Sequence, residues 1–97
     1  MGQDRDAVED FMAERRPAVL DRAIQAIAEC DIADMETECH RLRGTLASYD
    51  LTSAAELVEV LESIARQSHD DPSAVETARA LTVSGLEGIA ESLASSP

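Results

Sequence analysis

Apolar residues along this chain recur at steps of three and four, the period of an amphipathic helix. No stretch shows the period of two that marks a half-buried strand. Residues that start helices divide the pattern. Asp6-Ala7-Val8-Glu9 reads as a capping box ahead of Val8, Phe11 and Met12, which predicts a short first helix over about 6–15. Pro17 suits a first turn but cannot donate a backbone hydrogen bond, so a break or kink is expected at Arg15-Arg16. A second helix then carries Leu20, Ile24 and Ile27 on one face. Asp31 is placed to cap a third helix with Ile32, Met35, Cys39, Leu42, Leu46 and Tyr49 in register.

After a turn near Asp50-Leu51-Thr52, the box Ser53-Ala54-Ala55-Glu56 opens a segment with Leu57, Leu61, Ile64 and Ala65 inward. Glu56, Glu59, Glu62 and Arg66 are expected mostly outward. The polar run Ser68-His69-Asp70-Asp71-Pro72 is a loop. Pro72 and the box Ser73-Ala74-Val75-Glu76 then begin a last helix with Val75, Leu81, Leu86, Ile89 and Leu93, weakened in its second half by Gly85 and Gly88. The tail Ser95-Ser96-Pro97 is expected to fray. Short connections force neighbouring helices to run antiparallel. The expected fold is therefore all-α, an up-down-up-down four-helix bundle over about 17–94 with a short extra N-terminal helix, in one domain over 1–97.

Composition narrows the function. Ala, Leu, Ile and Val supply most of the 44% hydrophobic content and aromatics only 2%, which favours helix over sheet. A net charge of −12, from 20 acids against 8 bases that are all arginine, disfavours nucleic acid and anionic membranes as partners. The opening residues lack the apolar core of a signal peptide and the Ser/Thr of a myristoylation signal, so a cytoplasmic location is expected. Cys30 and Cys39 read as small hydrophobes in a reducing compartment. Cys39 and His40 are adjacent and point to different sides of a helix, and no C-x-x-C or H-x-x-x-H spacing exists, so no metal site is expected.

Candidate chemistry centres on His40. At ~100° per residue it projects well over a right angle from the stripe of Met35, Cys39, Leu42, Leu46 and Tyr49, so it is expected to be exposed. Gly44 lies one turn later on the same side, in a helix interior where glycine costs ~1 kcal/mol relative to alanine. Helical side chains lean toward the N-terminus, so a side chain at 44 would cover the imidazole, and glycine leaves the ring open. Arg43 neighbours His40 and could hold phosphoryl oxygens, with Arg41 adding charge. Glu36, one turn earlier, could accept from one ring nitrogen or be a solvated charge. His69 sits in an acidic loop and carries no assigned role.

These residues resemble the histidine phosphotransfer (HPt) domains, whose signature is a histidine, any residue, an aliphatic residue, a basic residue and glycine. His40-Arg41-Leu42-Arg43-Gly44 fits it. The resemblance extends through Leu51, Leu57, Leu61-Glu62 and Ala65-Arg66. Departures stand at Arg43, Cys39 and Asp50, where the family often has Lys, a small residue and Gly.

The resemblance implies a carrier in a multistep two-component phosphorelay. His40 would take a phosphoryl group from an aspartyl phosphate on a response-regulator receiver domain and pass it to another. Arg43 would stabilise it and Gly44 give clearance. Thr37, Arg41, Thr45, Ala47 and Ser48 are expected docking contacts from position. The receiver would supply Mg²⁺; the chain itself is expected to need no cofactor, to be no enzyme and to work as a monomer, with a hybrid histidine kinase as a further partner. Gly85-Leu86-Glu87-Gly88 lacks the Gly, Lys and Ser/Thr spacing of a phosphate-binding loop, so no ATP site is expected. The alternatives are an HPt-like adaptor that docks a receiver or kinase without accepting phosphate, and a structural bundle marked by an exposed apolar stripe.

Overall fold

The computed structural model describes residues 2–95, with side chains from Val8 onward. Four helices follow one another: α1 (Gly2–Glu29), α2 (Met35–Ser48), α3 (Thr52–Gln67) and α4 (Pro72–Ser95), with a 3-10 turn, Ile32–Asp34, ahead of α2. Each helix packs on its neighbours in sequence, and α1 closes the ring against α4. The fold is an all-α four-helix bundle, as the apolar period requires.

One core draws on all four helices. Leu20 and Ile27 from α1, Met35 and Leu46 from α2, Val58 and Leu61 from α3, and Val75 and Leu86 from α4 are fully buried. Each contributes about 1.5–3 kcal/mol by leaving water. Leu81, expected inside, is exposed. The buried stripe of α4 is Val75, Ala78, Thr82 and Leu86, and position 81 falls about a right angle outside it.

Of the break or kink expected at Arg15-Arg16, no break occurs, and the short N-terminal helix is continuous with the first bundle helix. Met12, Arg16, Leu20, Ala23 and Ile27 keep one register straight through Pro17 and are the less exposed positions of that face. Pro17 itself is exposed, so the Ala13 carbonyl that it leaves without a donor faces water. Asp6 lies inside α1 rather than at its start, and its side chain is outside the described residues.

Other helix starts also differ from the expected boxes. Asp31 precedes the 3-10 turn without a side-chain cap, and Asp34 stands at the start of α2. Helix α3 begins at Thr52, so Ser53 is already helical. For α4 the capping oxygen is Asp71 Oδ1, which accepts from Ala74 N–H at 3.2 Å, with Pro72 in the first turn. Helix α4 runs through Ser95; Ser96 and Pro97 lie outside the described residues.

The α2–α3 turn uses a left-handed residue. Asp50 has φ 60°, Asp50 N–H bonds Ala47 O at 3.1 Å and Leu51 N–H bonds Leu46 O at 3.0 Å, the two bonds of a Schellman motif. Leu51 and Leu46, both buried, make its apolar contact. Arg16 reaches across from α1, donating from Nε to Tyr49 O at 2.7 Å and pairing with Asp50 at 3.4 Å. Asp50→Gly should therefore raise stability by about 0.5–1 kcal/mol. The left-handed strain removed outweighs an ion pair whose carboxylate is largely exposed. A melting temperature unchanged or lower in Asp50→Gly would contradict this account.

Candidate functional site

Helix α2 turns its buried stripe, Met35, Cys39, Leu42 and Leu46, toward the core and His40 away from it. The His40 side chain is 67% exposed, as its wheel position requires. Burial pushes the Cys39 thiol up to about 12, so the cysteine beside it is a neutral core residue and no nucleophile. Burial likewise raises the Cys30 thiol.

The carboxylate at the imidazole comes from the neighbouring helix. Glu62 Oε2 lies 3.0 Å from His40 Nδ1. Glu36, offered by the sequence as either an orienting group or a solvated charge, accepts from Arg66 Nε at 2.9 Å. From α2 it faces α3 and lies within reach of that guanidinium.

Glu62 also departs from expectation in being buried, at 2% exposure. It sits four residues after Val58 and three before Ala65, within the stripe that α3 packs against α2. Two arginines offset the cost of burying it. Arg66 Nη2 donates to Oε2 at 3.1 Å, and Arg43 Nη1 stands 3.3 Å from Oε1 as an ion pair without hydrogen-bond alignment.

This arrangement selects a tautomer. A carboxylate only accepts, so the Nδ1 contact places the ring proton on Nδ1 and leaves the lone pair on Nε2; the other tautomer would set two lone pairs against each other at 3.0 Å. Arg43 Nη2, 3.3 Å from the same Nδ1, is also a donor and bonds the ring only when Nδ1 is bare. With Glu62 present, the guanidinium serves as a charge at the ring's edge. Nε2 has no hydrogen bond among the described residues. Chemically this is an exposed, oriented nitrogen nucleophile with two guanidinium groups nearby.

Around it, Glu36, Thr37, His40, Glu62 and Arg66 line an open recess of about 460 Å³. Gly44 is exposed, and a Cβ built there meets nothing within 4 Å, so no contact inside the chain requires glycine. Thr37, Arg41, Thr45, Ala47 and Ser48 are all exposed on α2. Three of them have local partners: Arg41 pairs with Glu38, Thr45 donates to Arg41 O at 3.4 Å, and Ser48 donates to Thr45 O at 2.8 Å.

Arg41 and Thr45 also line a groove against α1 with Val19, Arg22, Ala26 and Tyr49. Arg22, Glu62 and Arg66 are the site residues that sequence reasoning did not assign. A charged residue inside the apolar stripe at 58, 62 and 65 was the signal for Glu62.

His69 is exposed in the α3–α4 connection. Among the described residues no cluster of three or more His, Cys, Asp or Glu could hold a metal ion, and no helix is long and apolar enough to cross a membrane.

No curated protein and no solved structure matched the chain. The family model of the Hpt domain matches residues 6–95, nearly the whole length and including the helix of His40, the partner helix of Glu62 and both flanking arginines. By this match and by its four-helix bundle, the chain belongs to the Hpt domain family.

Proposed function

We propose that this chain carries a phosphoryl group between the aspartates of receiver domains in a multistep phosphorelay, with His40 as the acceptor. The observation that carries this reading is the Glu62 carboxylate 3.0 Å from Nδ1 at an exposed imidazole, which leaves Nε2 as the nucleophile. In the step, Nε2 attacks phosphorus, the bond from phosphorus to the receiver's aspartyl oxygen breaks, and the aspartate leaves as a carboxylate. The ring keeps its proton on Nδ1 and becomes cationic; Glu62 stabilises that charge. Arg43, which stands at the Nδ1 edge beside Glu62, turns from that carboxylate to the phosphoryl oxygens on Nε2. Transfer of this kind rests mainly on positioning and charge. The receiver supplies Mg²⁺, and this chain acts as a carrier rather than an enzyme.

The receiver docks over the exposed arc of Thr37, Arg41, Gly44, Thr45 and Ser48 and into the groove beside Arg22, with Ala47 at the other margin. Incubation with phosphorylated receivers should label the chain with an acid-labile, alkali-stable phosphate that mass spectrometry maps to His40. Failure to label with any of several receivers, or label on His69, would sink the proposal.

Gly44 gives an independent check. Gly44→Leu fills open space, so it should raise helix stability by about 0.5–1 kcal/mol while covering the ring and slowing transfer about tenfold or more. Transfer at the wild-type rate would show that clearance at 44 is irrelevant.

A further inference from the structure

A second groove lies between α3 and α4 and shares no residue with the recess at His40. Leu57, Val60 and Ile64 face Ala78, Leu81 and Thr82 around a volume of about 380 Å³. Each wall presents a large hydrophobe to water, Val60 at 57% and Leu81 at 70% exposure. An apolar groove open to water on both walls is a surface that another molecule can cover.

Glycine shapes this surface. A Cβ on Gly85 would stand 2.9 Å from Leu57 Cδ1, so glycine lets the end of the Leu57 side chain lie against α4 and form the floor without shifting. Gly88, one turn on, meets nothing within 4 Å. No contact inside the chain accounts for it, although glycine in a helix interior costs ~1 kcal/mol. Leu81, Gly85 and Gly88 follow at steps of four and three, so one bare face of α4 continues the groove.

Charge selects the occupant. Both arginines of α3 and α4 are spent within the chain, Arg66 on Glu36 and Glu62, Arg79 on Glu76 and carbonyls at the end of α1. Glu56, Glu59, Glu87 and Glu91 are exposed on the same two helices and form no ion pair among the described residues. A second copy of this chain would bring the same carboxylates, and a further −12 of net charge, against them.

We propose that the α3–α4 groove docks an amphipathic helix of a partner protein, apolar along the face that fills the groove and lined with lysine or arginine at its margins. Val60 and Leu81 clasp the apolar face, Gly88 admits its backbone closely, and Glu56 and Glu91, which helical spacing sets on the flanks of α3 and α4 next to the groove, meet its basic margins. Because this groove and the His40 recess have separate linings, the partner and a receiver can be held together.

The probe is a synthetic helix of about five turns with leucine on one face and lysine on the other, titrated into the full chain at ~0.15 M salt. Binding should weaken about tenfold or more in the double variant Val60→Ser, Leu81→Ser. It should be unchanged in Val8→Ser, Phe11→Ser, which removes comparable exposed apolar surface from α1. A peptide with glutamate for lysine should not bind. All four positions are exposed, and circular dichroism checks that both variants fold. Three results would each overturn the proposal: no binding, equal weakening in the two variants, or a Leu81-dependent dimer in sedimentation that excludes the peptide.

Discussion

A His40→Gln chain should accept no phosphoryl group from any receiver that labels the wild type, while melting within a degree or two of it. The side chain is two-thirds exposed, so its loss costs little packing. The more discriminating variants are at Glu62. Glu62→Leu removes the acceptor at Nδ1 and frees the ring proton to move to Nε2, which blocks the nucleophile. Outer partners that orient a functional histidine are worth about ten- to a hundred-fold, and a loss of transfer rate in that range is expected.

Stability should move the other way or not at all. Glu62 is a buried carboxylate inside an apolar stripe, and the Arg43 and Arg66 side chains, 35% and 59% exposed, can return to water when it is gone. Glu62→Gln keeps an oxygen for Nδ1–H but not the charge that offsets the cationic ring, so its loss should be smaller. Nitrogen NMR reads the cause directly: the His40 proton should sit on Nδ1 in the wild type and redistribute toward Nε2 in Glu62→Leu. If Glu62→Leu folds yet keeps the His40 proton on Nδ1, Glu62 does not orient the ring and the positioning argument fails.

Sequence legibility followed the range of the forces involved. Helical period and the exposure of His40 are local, and both were readable from the spacing of Met35, Cys39, Leu42 and Leu46. Pro17 misled because a local rule competed with register. One register runs from Met12 to Ile27, and the burial of Leu20, Ala23 and Ile27 with the Arg16 bond to Tyr49 O overrides the missing hydrogen bond. Asp50 was visible as a departure from glycine, but its positive φ and the two bonds that fix it belong to the folded turn.

Glu62 was partly legible. Its position between Val58 and Ala65 places it in a buried stripe, yet of the groups that make burial tolerable only Arg66 is local, while His40 and Arg43 stand 22 and 19 positions earlier on another helix. Only the packing of α2 against α3 brings them together. The match of the family model to residues 6–95 spans both helices.

Arg79 had no sequence signal at all, and its removal should cause the largest loss of stability. Its side chain is 15% exposed and lies across the C-terminal end of α1. Nη1 donates to Ile27 O at 3.3 Å and to Cys30 O, while Nε donates to Glu76 Oε1 at 2.7 Å. The last carbonyls of a helix have no partners of their own and carry its negative dipole end, so a guanidinium there satisfies both needs. Hydrogen bonds from a charged donor are worth about 1.5–3 kcal/mol each way of counting, and the buried stem adds packing.

Arg79→Ala should therefore cost about 2–4 kcal/mol, a large share of the total for a domain this size, and lower the melting temperature by about 10–20 °C. Arg79→Lys should recover only part of this, since an ammonium lacks the planar fork that spans α1 carbonyls and Glu76 together. Because α1 must stay seated to form the groove beside Arg41 and Thr45, the alanine variant should also weaken receiver docking, with His40 untouched. A shift below about 3 °C in thermal melts of Arg79→Ala would mean that water replaces the arginine at the end of α1 at little cost.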